Sequence, residues 1–214
     1  MWQVVRDWLL NTVFPDTCCG CSTLGSLLCP ACQNTVEFVL KPPRVPEQAA
    51  DLDSVTILTA FDELSHKLVV TYKYSSVIGV GAVMAHLIAE HAQLPKIDVL
   101  TAVPLHPSKE SDRGFNQAAV IAQHLNTALD LPYTALLTRK RTGTRQATLK
   151  KQQRWQHNMA VFSIPPQQAS ACVGKHIGLV DDVFTTGATL QACAHQLKKA
   201  GAASVHGICF THGQ

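Results

Sequence analysis

Charge is scarce in this sequence. Asp, Glu, Lys and Arg make up 15% of the 214 residues, and aromatic residues only 6%. So little charge beside 46% apolar residues excludes a long disordered chain and supports a real core. No apolar run approaches the ~18 residues of a membrane span. The net charge of +3 is too small to argue by itself for nucleic acid or a membrane surface. Two phosphate-binding signatures are also missing. There is no GxxxxGK[ST], and "GVGAVM" puts Met84 where a dinucleotide fingerprint needs its third glycine. The opening "MWQVVRDWLLNTVF" carries Asp7 and has no small-residue cleavage site, so it does not read as a secretory signal. Its Val4, Val5, Trp8 and Leu9 suit one face of a helix docked on the protein. A soluble cytoplasmic protein is the expectation.

Cysteine is present but unevenly spread. Of eight cysteines, five lie between Cys18 and Cys32. Cys18-x-x-Cys21 and Cys29-x-x-Cys32 form two CxxC pairs, each able to supply two thiolates from one tight turn. In a reducing compartment such clustering favours metal over disulfides. Four thiolates suit a closed, structural tetrahedral zinc site, with an iron–sulfur cluster the lesser alternative. Cys19 is an alternative ligand or a spare thiol. Cys172, Cys193 and Cys209 read as core residues.

The chain divides at "KPPRVPEQAADLD", Lys41 to Asp53, where three prolines interrupt any apolar period. We read residues 1–40 as an N-terminal helix and metal module, 41–53 as a linker and 54–214 as one α/β domain. Strands are predicted at 54–61, 97–103, 133–138, 160–164, 176–180 and 204–210, and helices at 77–92, 114–129 and 187–200. Strand–helix alternation implies a mostly parallel sheet with helices on both faces.

The stretch "LVDDVFTTGATL", Leu179 to Leu190, carries the chemistry. In an open α/β sheet, ligands sit at the carboxyl ends of strands. Asp181 and Asp182 occupy such an end. Thr185, Thr186, Gly187, Ala188 and Thr189 then open a helix whose free N–H groups and dipole attract an anion. Gly187 permits close approach, and the threonines add hydroxyl donors. A phosphate cradle beside two hydroxyl-accepting carboxylates matches a ribose 5-phosphate. Upstream, "VPLHPSKESDRGFNQA" reads as a stiffened loop in which His106, Lys109 and Arg113 can face a pyrophosphate. Downstream, Thr138 to Asn158 holds Arg139, Lys140, Arg141, Arg145, Lys150, Lys151 and Arg154 with no acid. That run suits a basic flap over a pyrophosphate, or a track for a single strand with Trp155 as a stacking platform.

The acid pair and Thr/Gly turn resemble the 5-phosphoribosyl-1-pyrophosphate (PRPP) motif of type I phosphoribosyltransferases. Together with "RGFNQA" and the spacing Arg141, Gln146, Leu149, Arg154, Asn158, they resemble the ComF/GntX family over about residues 14 to 211. That resemblance implies an N-terminal zinc module joined to a phosphoribosyltransferase-like domain. One departure is Lys109, near which the family usually has an arginine with its bidentate fork. The resemblance further implies magnesium alongside PRPP. It implies a role in natural competence, handling incoming single-stranded DNA with a competence helicase and recombination proteins as partners. A phosphoribosyltransferase of unknown acceptor and a PRPP-sensing regulator are the alternative readings.

Overall fold

A computed structural model describes residues 15–39, 50–75, 77–140 and 161–213. Four parallel strands form the sheet: β1 (Ser54–Thr59), β2 (Val99–Ala102), β5 (His176–Phe184) and β6 (Ser204–His212), in the order β1-β6-β5-β2. All three pairings are parallel, with Gly178 opposite His206 and Ala102 opposite Val180. Their apolar residues are buried on both faces, as a covered parallel sheet requires.

Helices α2 (Glu63–Tyr74), α3 (Gly79–His91), α4 (Pro107–Arg113), α5 (Gln117–Leu129) and α6 (Ala188–Lys199) follow the short α1 (Pro30–Gln33). A small antiparallel pair, β3 (Thr138–Arg139) and β4 (Phe162–Ser163), stands apart from the main sheet. Among the described residues no helix is long and apolar enough to cross a membrane.

The structure departs from the sequence reading in five places. The sequence pattern assigns no element between 62 and 76, yet α2 forms there. Asp62 and Ser65 cap it reciprocally, with Ser65 N–H donating to Asp62 Oδ1 at 2.7 Å and Asp62 N–H to Ser65 Oγ at 2.9 Å. Its buried Ser65, Leu68, Val69 and Tyr72 follow the helical period. Second, Pro107 to Arg113 is the short helix α4 rather than a stiff loop. Pro107 sits in the first turn, His106 caps the start and Gly114 ends it at φ 80°. Gly114 therefore closes a helix, and the next one starts at Asn116, whose side chain accepts from Ala118 N–H.

Third, the strand predicted at 133–138 is a single parallel bridge from Tyr133 to Leu100, plus β3 at its end. Leu136 N–H there donates to a side chain, Thr101 Oγ1, instead of a ladder carbonyl. Fourth, β5 runs on past Val180 to Phe184, because Val183 and Phe184 keep pairing with Thr211 and His212 of β6. The aspartates are thus strand residues, not residues beyond its end. Fifth, the end of the expected linker is anchored. Leu52 is buried, Asp51 accepts from Gln191 and His195, and Asp53 accepts from Val205 N–H and the Lys198 ammonium. Residues 41–49, and the N-terminal helix expected within 1–14, lie outside the described residues.

Candidate functional site: an acid pair at a helix mouth

Neighbouring residues in a strand point to opposite faces, and that rule separates the two aspartates. Asp182 faces α2. Its Oδ2 lies 2.8 Å from Lys73 Nζ, at ion-pair distance but off hydrogen-bonding angle, so the oxygen is buried with no aligned donor. Asp181 faces α6 and β3, where it shares its surroundings with Cys193 and Arg139. Asp181 keeps partial exposure, but protein is packed around its carboxyl as densely as in the interior. That burial, with the Asp182 carboxylate beside it, pushes its pKa up to about 8, although Asp182 N–H donates to Asp181 Oδ1 at 2.9 Å. Of the two hydroxyl-accepting carboxylates expected here, Asp182 is buried at ion-pair distance from Lys73, and Asp181 is partly exposed with its pKa raised.

Past Phe184 the chain opens to solvent. Thr185, Thr186 and Thr189 are exposed, Ala188 is half-buried and Gly187 is buried. Gly187 sits at φ 74° as the N-cap of α6, where it has no side chain to cap the helix, and the first turn holds no acid. Ala188 N–H reaches Thr186 Oγ1 only at 3.4 Å. This helix mouth is open and electropositive. A Cβ on Gly187 would lie 3.1 Å from the Phe184 ring. Gly187→Val is therefore expected to lower stability by about 1–3 kcal/mol, from the left-handed backbone and the crowded ring together. Thermal unfolding checks this; an unchanged Tm would contradict the packing described.

His106, Lys109 and Arg113 fall on one side of α4, at positions i, i+3 and i+7. α4 follows β2, which pairs with β5, so it rises beside the acids: Val103 N–H donates to Val180 O at 2.9 Å. Arg113 is braced. Its Nη1 donates to Gln117 Oε1 at 3.0 Å and its guanidinium lies 5.8 Å from the centre of the Tyr74 ring. His106 Nδ1 is engaged by Ser108, with Oγ at 2.7 Å and N–H at 3.2 Å. Lys109 is exposed.

Of the basic run, Arg139 and Lys140 are described, and they separate. Lys140 is exposed, whereas Arg139 stacks on Phe162 at 5.2 Å and keeps a buried Nε without a partner. Arg139 belongs to the wall around Asp181, not to a solvent-facing flap, because β3 pairing with β4 draws it inward. Arg141, Arg145, Lys150, Lys151 and Arg154 lie outside the described residues.

The sequence reading missed Lys73. Its signal was the capping box at Asp62, which starts a helix whose last turn carries it.

At the other end of the chain, the sulfurs of Cys18, Cys21, Cys29 and Cys32 all lie within 4.8 Å of one another. Cys21 and Cys29 Sγ are 3.6 Å apart, close to the roughly 3.8 Å edge of a tetrahedron with metal–sulfur bonds of about 2.3 Å. The four residues could hold a metal ion. Burial pushes the Cys18 thiol up, but N–H groups of Cys29, Cys21 and Gly20 outweigh it and bring it to about 6. Burial and hydrogen bonds shared with the other thiols push Cys32 up to about 12. A Cβ on Gly20 would lie 2.6 Å from Cys32 Sγ, so that knuckle closes only around glycine. Cys19 stands outside the cluster and bonds toward Thr71 of α2, so it is not a ligand here. Cys172, Cys193 and Cys209 are fully buried, as expected of core thiols.

Residues 112–213, which carry β5, the acid pair and the helix mouth, match the phosphoribosyl transferase domain family. The chain is similar to Competence protein F of Haemophilus influenzae, at 26% identity over 72% of this chain and 71% of that protein. It is also similar to Competence protein ComFC of Bacillus subtilis (37% identity, 50% of this chain, 41% of that protein). DNA utilization protein YhgH of Escherichia coli K12 is a third relative (34% identity, 55% of this chain, 50% of that protein). The chain thus spans about half or less of the latter two. The chain is thus similar to three proteins named for competence or DNA utilization, and its match to the phosphoribosyl transferase domain family lies behind a four-cysteine cluster.

Proposed function

We propose that this protein binds PRPP or a related ribose 5-phosphate and serves natural competence and DNA uptake by handling single-stranded DNA. The carrying observation is the open mouth of α6. It has a left-handed Gly187, three exposed threonines and no acid in its first turn, immediately after Asp181 and Asp182. Thr185 to Thr189 would hold the 5′-phosphate, and the acid pair the ribose hydroxyls. His106, Lys109 and Arg113 would meet the pyrophosphate, with magnesium supplying charge neutralisation when bound. The names of the relatives, two competence proteins and a DNA utilization protein, support the DNA-handling part. The four-cysteine cluster would hold structural zinc, and residues 15–39 would form that module beside the α/β domain. Lys140 to Arg154 would track a strand or close over the sugar phosphate.

The match to the phosphoribosyl transferase domain favours a second reading, a transferase that displaces pyrophosphate from PRPP with an acceptor still to be identified. Pyrophosphate release across nucleobases and amines separates the two. Release with one acceptor class supports the enzyme; PRPP binding without release supports the binding protein. Single-stranded DNA binding should weaken steeply with salt. The variant Arg141→Ala/Lys150→Ala should flatten that slope by up to about 1.4 in log–log terms. An unchanged slope would show that these residues do not meet the strand.

A further inference from the structure

Among the described residues one aromatic ring stands open to solvent. Tyr74, the last residue of α2, is 74% exposed, whereas every other described tyrosine and phenylalanine is buried or half-buried. An open ring adds little to the core, yet this one is held in place. Two residues earlier, the buried Tyr72 donates its hydroxyl to Gln117 O at 2.8 Å and sets its ring 5.4 Å from that of Phe115. Arg113 lies over the Tyr74 ring at 5.8 Å, and its Nη1 donates to Gln117 Oε1 at 3.0 Å. Gln117 thus braces both the turn that carries Tyr74 and the cation above the ring. Lys73, next to Tyr74, puts its ammonium 2.8 Å from Asp182, and Arg113 ends the row of His106 and Lys109 on α4. The ring therefore stands at the rim of the proposed sugar-phosphate site.

We propose that Tyr74 is a stacking platform for a nucleobase, with Arg113 supplying the positive charge that meets the adjoining phosphate. Every base has a π-face, so an exposed aromatic beside a cation takes a base and its phosphate together. This rests on the DNA-handling reading above and deepens it: the basic run from Lys140 would follow a strand's backbone, whereas Tyr74 takes a base.

The ring and its neighbour suit that role. A tyrosine offers a large flat contact with few torsions to freeze, and the bracing at Gln117 lowers that cost further. The charge beside it is a guanidinium, which is planar, stacks on rings and pairs with phosphate. The stacking aromatic expected from the sequence, Trp155, lies outside the described residues; Tyr74 brings one to the acid pair from the other side of the chain. The base can belong to a strand or be the free acceptor of the transferase reading. The contact with the ring is the same in both, and the test separates them.

The test measures binding of a short thymidine strand, the same strand with its bases removed, and free adenine and thymine, with and without PRPP and magnesium. The proteins are the zinc-supplemented full chain as wild type, Tyr74→Leu, Tyr74→Gln and Tyr74→Trp. Wild type should bind the intact strand about tenfold more tightly than the base-free one. Tyr74→Leu and Tyr74→Gln should bind both strands alike, with the salt dependence unchanged because no charge is lost. Tyr74→Trp should restore the preference. Because the ring is exposed, both ring-free variants should melt within about 2 °C of wild type. If only the free bases depend on Tyr74, the platform stands and serves the transferase's acceptor. If wild type binds the strand but neither strand nor free base depends on Tyr74, the platform is overturned and the DNA-handling reading survives. A wild type that binds neither strand nor free base overturns both.

Discussion

Stripping the metal from the purified protein should lower its melting temperature by about 10 °C and detach the four-cysteine module from α2. The cluster sits in a loop-rich stretch whose only helix, Pro30–Gln33, buries no residue. A segment with so little core of its own would depend on a bound ion for folding. Its fit to the rest of the chain depends on that closure. Gly20 lies against Leu64, Leu27 against Gly79, and Cys19 bonds toward Thr71. Loss of these contacts is worth on the order of 3 kcal/mol, or about 6–12 °C for a domain of this size. Metal analysis should find about one zinc per chain. Cys29→Ser should reproduce the loss, whereas Cys19→Ser should leave metal content unchanged. A folded protein with no metal and an unaltered melting curve would contradict the assignment.

Asp181→Asn should make the unliganded protein more stable at pH 8 and flatten its pH dependence. In the folded state the Asp181 proton is held until about pH 8, whereas an unfolded aspartate releases it near 3.8. Between those values the native state binds more protons, so its stability falls as pH rises through the window and levels off above it. The full effect is on the order of a few kcal/mol, or several degrees in Tm. Asp182→Asn should lower stability, because it leaves Lys73 without its anion, and should also flatten the profile, because a charge that raises the Asp181 pKa is gone. Melting curves at half-unit intervals from pH 5 to 9 check both. A flat wild-type profile would show that Asp181 is ionised throughout.

The parts of this molecule written in local pattern were legible. The run Leu179 to Leu190 announces strand, turn and helix, and all three form. The two CxxC pairs announce a four-sulfur cluster, and the sulfurs converge. What was not legible depends on tertiary packing. The two aspartates look equivalent in sequence, but strand alternation sends them to different faces and gives them different partners. Lys73 is one lysine in an unassigned stretch until α2 carries it to Asp182. Arg139 opens a basic run that reads as a solvent-facing flap until its pairing beside Phe162 turns it inward. His106, Lys109 and Arg113 read as loop residues in the sequence alone. Pro107 and Gly114, which mark the two ends of a helix, were the local signals that would have aligned them on one side.

The proposed grip of this site on a sugar phosphate is tested most directly by calorimetric titration of the intact, zinc-supplemented protein with PRPP and magnesium, beside the Asp181→Asn/Asp182→Asn variant. Saturable one-to-one binding by the wild type, lost in the variant while its zinc content stays unchanged, is the expected result. Equal heats from both proteins, or none from either, would contradict it.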